Sequence, residues 1–139
     1  MERNNIQTFL PFPSFRKSAK CLDNKRLGKQ RVETLQILNT IQGRSNAWIN
    51  HPIVKMWRDY DSALIIYGMI VCGEWRSRGF EDTVGDQLYD RFDPEATIEA
   101  PWWLGDTELH QSHQSNLKRK SAFHYRFDVP DNIPYWYPT

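Results

Sequence analysis

Four residues within Leu22–Leu38, namely Arg26, Lys29, Gln30 and Glu33, stand at i, i+3, i+4 and i+7. A helix through them carries all four on one polar stripe, with Arg31 near its edge. Guanidinium forks and an ammonium group at this spacing match successive phosphates. Glu33 has cations for neighbours, which favour its ionised form. A carboxylate held there stabilises a developing oxocarbenium ion or takes a proton. The plainer reading of the same residues is a Lys29–Glu33 pair on a solvated helix face.

Two further groups have chemical potential. Asn50-His51-Pro52, followed by Trp57, ends the loop GRSNAWINHP and places an amide and an imidazole where they reach the edge of a base. Alternatively, Asn50 caps the next helix and His51 packs. In HQSHQSNLKRK, His110, His113 and Leu117 share one helical face, and His113, Asn116 and Lys120 share an overlapping one, beside Ser115 and Lys118. Such a face suits hydrogen bonding to a polar ligand. Two histidines at i, i+3 without a third ligand nearby do not make a metal site, and no metal or cofactor is expected.

Charge is unevenly distributed along the chain. Residues 1–58 hold eleven Lys and Arg against three Asp and Glu, residues 59–108 three against twelve, and residues 109–139 four against two. If the two basic segments meet, Arg26, Lys29, Gln30 and Arg31 lie near His113, Asn116 and Lys120 on a face for DNA or a nucleotide. Solvated charge scattered over helices is the alternative. A net charge of +1 is small for a non-specific duplex binder, whose affinity comes largely from neutralised phosphates. It points to a selective site or a smaller ligand.

The elements that must hold these residues are mostly helical. After an extended opening, Ile6 to Phe12, Ser14 caps a first helix running through Phe15, Ala19 and Leu22. Asp23 or Asn24 caps the second, whose apolar Leu27, Val32, Leu35, Leu38 and Ile41 keep helical spacing until Gly43. Pro52 opens a short helix through Trp57. Asp61 or Ser62 starts the core helix of Leu64, Ile65, Tyr67, Ile70, Val71 and Trp75, closed by Gly79. A short helix from Asp82 or Thr83 to Phe92, a loop from Asp93 to Pro101 and a last helix from Asp106 or Thr107 to about Lys120 follow. The tail from Phe123, rich in Pro and aromatics, reads as an extended strap. With 139 residues, the chain is expected to form one compact helical domain, 1–139.

Composition narrows the class further. Hydrophobic residues are 40% and charged residues 25% of the chain, as in a folded globular protein. The longest apolar stretch, Ala63 to Cys72, is too short to span a bilayer. The start, MERNNIQTFLPF, lacks the pattern of a secretory signal, so an intracellular protein with no membrane partner is expected. Cys21 and Cys72 suggest neither a disulfide framework nor a cysteine metal site.

The strings TFLPFPSF, LDNKRLGKQRVETLQIL, NHPIVKMW, EWRSRGFEDT, SHQSNLKRK and IPYWYP, in this order, resemble the pyrimidine-dimer DNA glycosylases, a family with phage endonuclease V-type members. The resemblance covers nearly the whole chain and is nearer to an uncharacterised bacterial and phage branch. It implies a compact helical fold and excision of a damaged or modified pyrimidine, followed by abasic-site lyase cleavage through a Schiff base, without a metal. It also implies an N-terminal amine nucleophile, an assisting Glu and phosphate-binding arginines on one helix. Thr8 falls in the region of the nucleophile, with seven residues ahead of it. Other sources of the amine are a displaced chain terminus, or Lys25 or Lys29, where the cations Arg26 and Arg31 favour the neutral form. Arg31 matches a phosphate-binding arginine. The Glu falls on Val32 in an ungapped match, and Glu33 follows about 100° further around the helix. Trp57, Trp102, Trp103 and Trp136 are the aromatics available to stack on a base. The alternative expectation is a catalytically inert relative that binds a nucleotide or short nucleic acid.

Overall fold

The computed structural model describes residues 6–138. Six helices follow in order: α1 (Phe15–Cys21), α2 (Asn24–Ile41), α3 (Pro52–Trp57), α4 (Asp61–Ser77), α5 (Gly85–Asp90) and α6 (Thr107–Lys120). No strand is formed among the described residues.

Most of the start and stop signals act as the sequence suggests. Ser14 accepts from the Lys17 N–H at 3.1 Å, and Asp106 from that of Glu108 at 2.9 Å, each satisfying an otherwise orphaned donor. Gly79 closes α4 at φ 92°, in the left-handed region that glycine enters without strain. Three details differ. His51, rather than Asn50, caps α3, its Nδ1 accepting from the Ile53 N–H at 3.0 Å. Asp61 gives its carboxylate to Gln42 instead of capping α4. Asp82 accepts from the Val84 and Gly85 N–H groups, so α5 begins only at Gly85, and it ends at Asp90 rather than Phe92.

Helix α4 is central, with Leu64, Ile65, Tyr67, Val71 and Cys72 buried, while Ile70 and Trp75 lie at its margin. It meets α2 closely because glycines stand at the crossing. A Cβ on Gly68 would come within 2.6 Å of Leu88 Cδ1 and 2.8 Å of Thr34 Cγ2, and one on Gly28 within 2.9 Å of the Trp75 ring. Trp57 and Trp103 pack edge to face at 4.9 Å, and Phe15 meets Tyr67 at 5.3 Å. Trp57, Trp103 and Tyr67 are fully buried and Phe15 partly so, and together they supply much of the apolar surface removed from water. No helix among the described residues is long and apolar enough to cross a membrane.

Candidate functional site

The opening segment is extended, as expected, and it passes through the interior: Ile6 to Pro11 are all buried. An extended segment there cannot satisfy its own backbone, so its N–H and C=O groups need side-chain partners. Gln30 provides a clamp, its Oε1 accepting from the Phe9 N–H at 2.5 Å and its Nε2 donating to the Gln7 carbonyl at 2.6 Å. Tyr67 Oη lies 2.6 Å from Gln30 Oε1 and 2.9 Å from the Phe9 carbonyl. Trp57 donates its indole N–H to Thr8 Oγ1 at 2.9 Å.

The histidines of α6 hold the next residue. The Leu10 N–H donates to His113 Nδ1 at 2.8 Å, which places the His113 proton on Nε2. The Gly105 N–H donates to His110 Nε2 at 2.9 Å, so His110 Nδ1 carries a proton and donates to the Leu10 carbonyl at 2.7 Å. Burial, with the neighbouring His110 adding to it, pushes the His113 imidazole down to about 3, so the ring is neutral. Among the described residues no group of His, Cys, Asp and Glu is placed to hold a metal ion.

The remaining polar face of α6 binds the C-terminal strap. Ser115 accepts from the Ile133 N–H at 2.9 Å, and Asn116 donates to the Ser112 and Ile133 carbonyls at 2.8 and 3.1 Å. Lys118 donates to the Phe127 and Val129 carbonyls at 3.1 and 2.8 Å. The H/S/N/K pattern therefore has a polar ligand within the chain, its own two extended ends. Gln30, Trp57, His110, His113, Ser115, Asn116 and Lys118 were expected to face a nucleic acid or nucleotide. Their polar groups are engaged in this framework, except His113 Nε2, which is buried without a partner among the described residues. His51 is engaged as a helix cap beside the Tyr137 ring, and Asn50 lies exposed on the loop ahead of it.

What remains on the stripe of α2 is Arg26, Lys29 and Glu33. Arg26 pairs with Asp23 at 3.2 Å, and Asp23 also accepts from the Tyr125 hydroxyl. Lys29 and Lys25 are exposed. Glu33 is mostly buried, and Lys29 and Lys120 are the cations that act on it. Desolvation outweighs both cations and pushes the carboxyl from 4.5 up to about 7. The ionised form that sequence neighbours alone would favour is thus disfavoured. Tyr135, which the sequence reading passed over, brings the strap to this place, where its hydroxyl feels Arg26, Glu33 and Arg119. Only its position in the aromatic run IPYWYP hinted at this.

Arg31 leaves the stripe. Its guanidinium pairs with Asp82 at 2.6 Å and lies 4.7 Å from the Trp75 ring centroid, so it locks α2 to the segment before α5. The other proposed stackers divide by burial. Trp57 and Trp103 are enclosed, Trp136 is half-buried, and Trp102 is exposed. Trp102 and Trp103 line a cavity of about 630 Å³ with Lys55, Arg58, Tyr60 and Tyr137. Tyr137 also accepts from Gln7 Nε2 at 3.1 Å, linking this cavity to the opening segment.

A family model described as pyrimidine dimer DNA glycosylase matches residues 6–88, from the buried opening segment into α5. The chain belongs to the pyrimidine dimer DNA glycosylase family. Comparisons with curated proteins and with solved structures gave no match. The region matched to this family contains the α2 stripe, whereas α6 and the strap, which complete the surroundings of Glu33, lie beyond it. Three positions singled out by resemblance to the glycosylase family occupy different settings. Thr8 is fully buried, and its backbone nitrogen donates to Gln7 Oε1 at 3.0 Å. The terminal amine of Met1 lies outside the described residues. Val32 is 43% exposed, whereas Glu33 turns inward.

Proposed function

We propose that the chain is a DNA N-glycosylase that excises a damaged pyrimidine and opens the abasic strand, with Glu33 as its acid–base group and Lys29 as its amine. The observation that carries this reading is the carboxyl group of Glu33, pushed up to about 7 beside Lys29 and Lys120 in a member of this family. A group with a pKa near neutrality exists in both protonation states and serves as acid and base. Lys29 stands one helical turn from it.

In the excision step, Glu33 takes a proton from the Lys29 ammonium, and the freed amine attacks C1′ while the C1′–N1 bond breaks. The pyrimidine leaves with the electron pair and takes up a proton. As the C1′–O4′ bond breaks and the sugar ring opens, a proton passes from the nitrogen to O4′, giving the protonated C1′=N Schiff base. Glu33, now ionised, removes a proton from C2′, and the electrons move to C2′=C3′ as the 3′ phosphate departs. Arg26, Lys25 and Lys120 provide cations for the flanking phosphates. Reaching the base requires it to leave the stack, and Trp136 and Tyr135 of the strap are the aromatic surfaces beside the stripe. A DNA substrate places this work inside the cell.

The test is release of free base from a panel of duplexes, each with one damaged pyrimidine. Glu33→Gln is expected to slow release by about 10²–10⁴, the usual range for acid–base groups, with duplex binding retained. Absence of release from every duplex, with nucleotide or short-strand binding intact, would establish the inert binder instead.

A further inference from the structure

Phe123 is the most exposed large apolar side chain among the described residues, at 86%. Burying a phenylalanine removes roughly 150–250 Å² from water, so folding alone gives no reason to present this ring to solvent. The ring does not stand on a loose tip. Next to it, Tyr125 is buried, with its N–H donating to the Ser121 carbonyl at 2.9 Å and its hydroxyl to Asp23. His124 Nε2 lies 3.1 Å from the Cys21 carbonyl, and Arg126 donates to the Phe123 carbonyl while its guanidinium lies 5.7 Å from the Phe123 ring centroid.

The charges around the ring identify its partner. The turn follows directly on Lys118, Arg119 and Lys120, the last turn of α6; Lys118 and Arg119 also donate to carbonyls of the strap, and the Lys120 ammonium acts electrostatically on Glu33. On its other side the turn touches Asp23, the N-cap of α2, which pairs with Arg26. Of the other exposed apolar residues, Tyr89 adjoins Asp90, Ile98 adjoins Glu99, Phe80 stacks on Trp75, and Trp102 lines the cavity with Lys55 and Arg58. An apolar ring held rigidly among cations fits duplex DNA, with phosphates meeting the charges and a base step receiving the ring.

We infer that Phe123 is a wedge that enters the duplex beside the Glu33 site and props open the step from which the damaged pyrimidine leaves. This rests on the DNA-acting reading above. A weakly stacked step, such as one at a damaged pyrimidine, costs least to open, so the wedge also contributes selectivity for damage over intact duplex.

The experiment is a titration of a duplex that carries a 2-aminopurine beside a tetrahydrofuran abasic analogue. The native chain is expected to bind and raise the fluorescence as the step unstacks. Phe123→Ala is expected to lose the rise and to bind about tenfold more weakly, within the range for one base–aromatic contact. Phe123→Trp should restore both, and thermal unfolding should be unchanged in either variant. If the native chain binds and Phe123→Ala gives the same rise and affinity, the wedge is wrong while the DNA-acting reading stands. If Phe123→Ala alters only self-association measured by sedimentation, the ring is a protein contact and the inference is overturned. If the native chain binds no duplex, the underlying functional reading fails and the wedge with it.

Discussion

Replacing Glu33 with Gln separates the chemistry of this side chain from its effect on folding. Burial raises the carboxyl from 4.5 to about 7, so the folded chain disfavours the ionised form. The resulting cost is absent below pH 4.5, grows as pH rises towards 7, and is fully present above that. About two and a half pKa units correspond to about 3 kcal/mol. Residual contact of the side chain with solvent lowers this to about 1–2 kcal/mol. Glu33→Gln removes the charge and nearly keeps the shape. It should therefore stabilise the protein at about pH 8 by about 1–2 kcal/mol, a rise in Tm of about 3–8 °C for a chain of this size. Close to pH 4.5 the two proteins should melt together. Thermal unfolding followed by circular dichroism across this pH range measures the difference. An equal shift at both ends, or a lower Tm for the variant at about pH 8, would mean that pairing with Lys29 and Lys120 outweighs desolvation, and the argument would fail.

The histidine clamp predicts an acid limb of opposite origin. His113 is held down at about 3, so the unfolded chain takes up its proton first and stability should fall as pH drops from 6.5 towards 3. His113→Phe should cost about 1–3 kcal/mol by leaving the Leu10 N–H unpaired, and should flatten that limb in denaturant titrations. Arg31→Ala should lower stability by about 2–4 kcal/mol, because the buried Asp82 carboxylate loses its closest cation, and should leave duplex affinity unchanged in a binding titration. By contrast, Arg26→Ala and Lys120→Ala should each flatten the log–log salt dependence of duplex binding by about one unit, with little change in Tm. Gly68→Ala should destabilise by about 1–3 kcal/mol in chemical denaturation, since its methyl group would meet Leu88 and Thr34.

The helices were legible because their signals are local. Ser14, Asp106 and Gly79 act through neighbours a few residues away, and the periodicities of α2 and α4 survive into the packed molecule. The site was less legible because its partners are distant in sequence. Gln30 belongs to a polar stripe by spacing, but its amide serves backbone 21 and 23 residues earlier. The His110 and His113 pair looks like a ligand face until Leu10, about one hundred residues away, occupies it. Arg31 shows the same limit. Nothing near it in sequence announces Asp82, 51 residues on, whose carboxylate removes it from the phosphate-facing set. Glu33 was found by pattern, but its protonation depends on burial, which neighbouring charges in the sequence do not report.

The central claim is that the α2 face of Lys29 and Glu33 carries out Schiff-base chemistry on DNA, and borohydride trapping on an abasic-site duplex tests it most directly. The native chain should form a covalent protein–DNA adduct that maps to Lys29. Lys29→Ala should abolish the adduct while retaining duplex binding, and Glu33→Gln should trap but cleave poorly, because the C2′ proton is no longer removed. Absence of any adduct from the native chain, or an adduct that is undiminished in Lys29→Ala and maps elsewhere, would contradict the assignment.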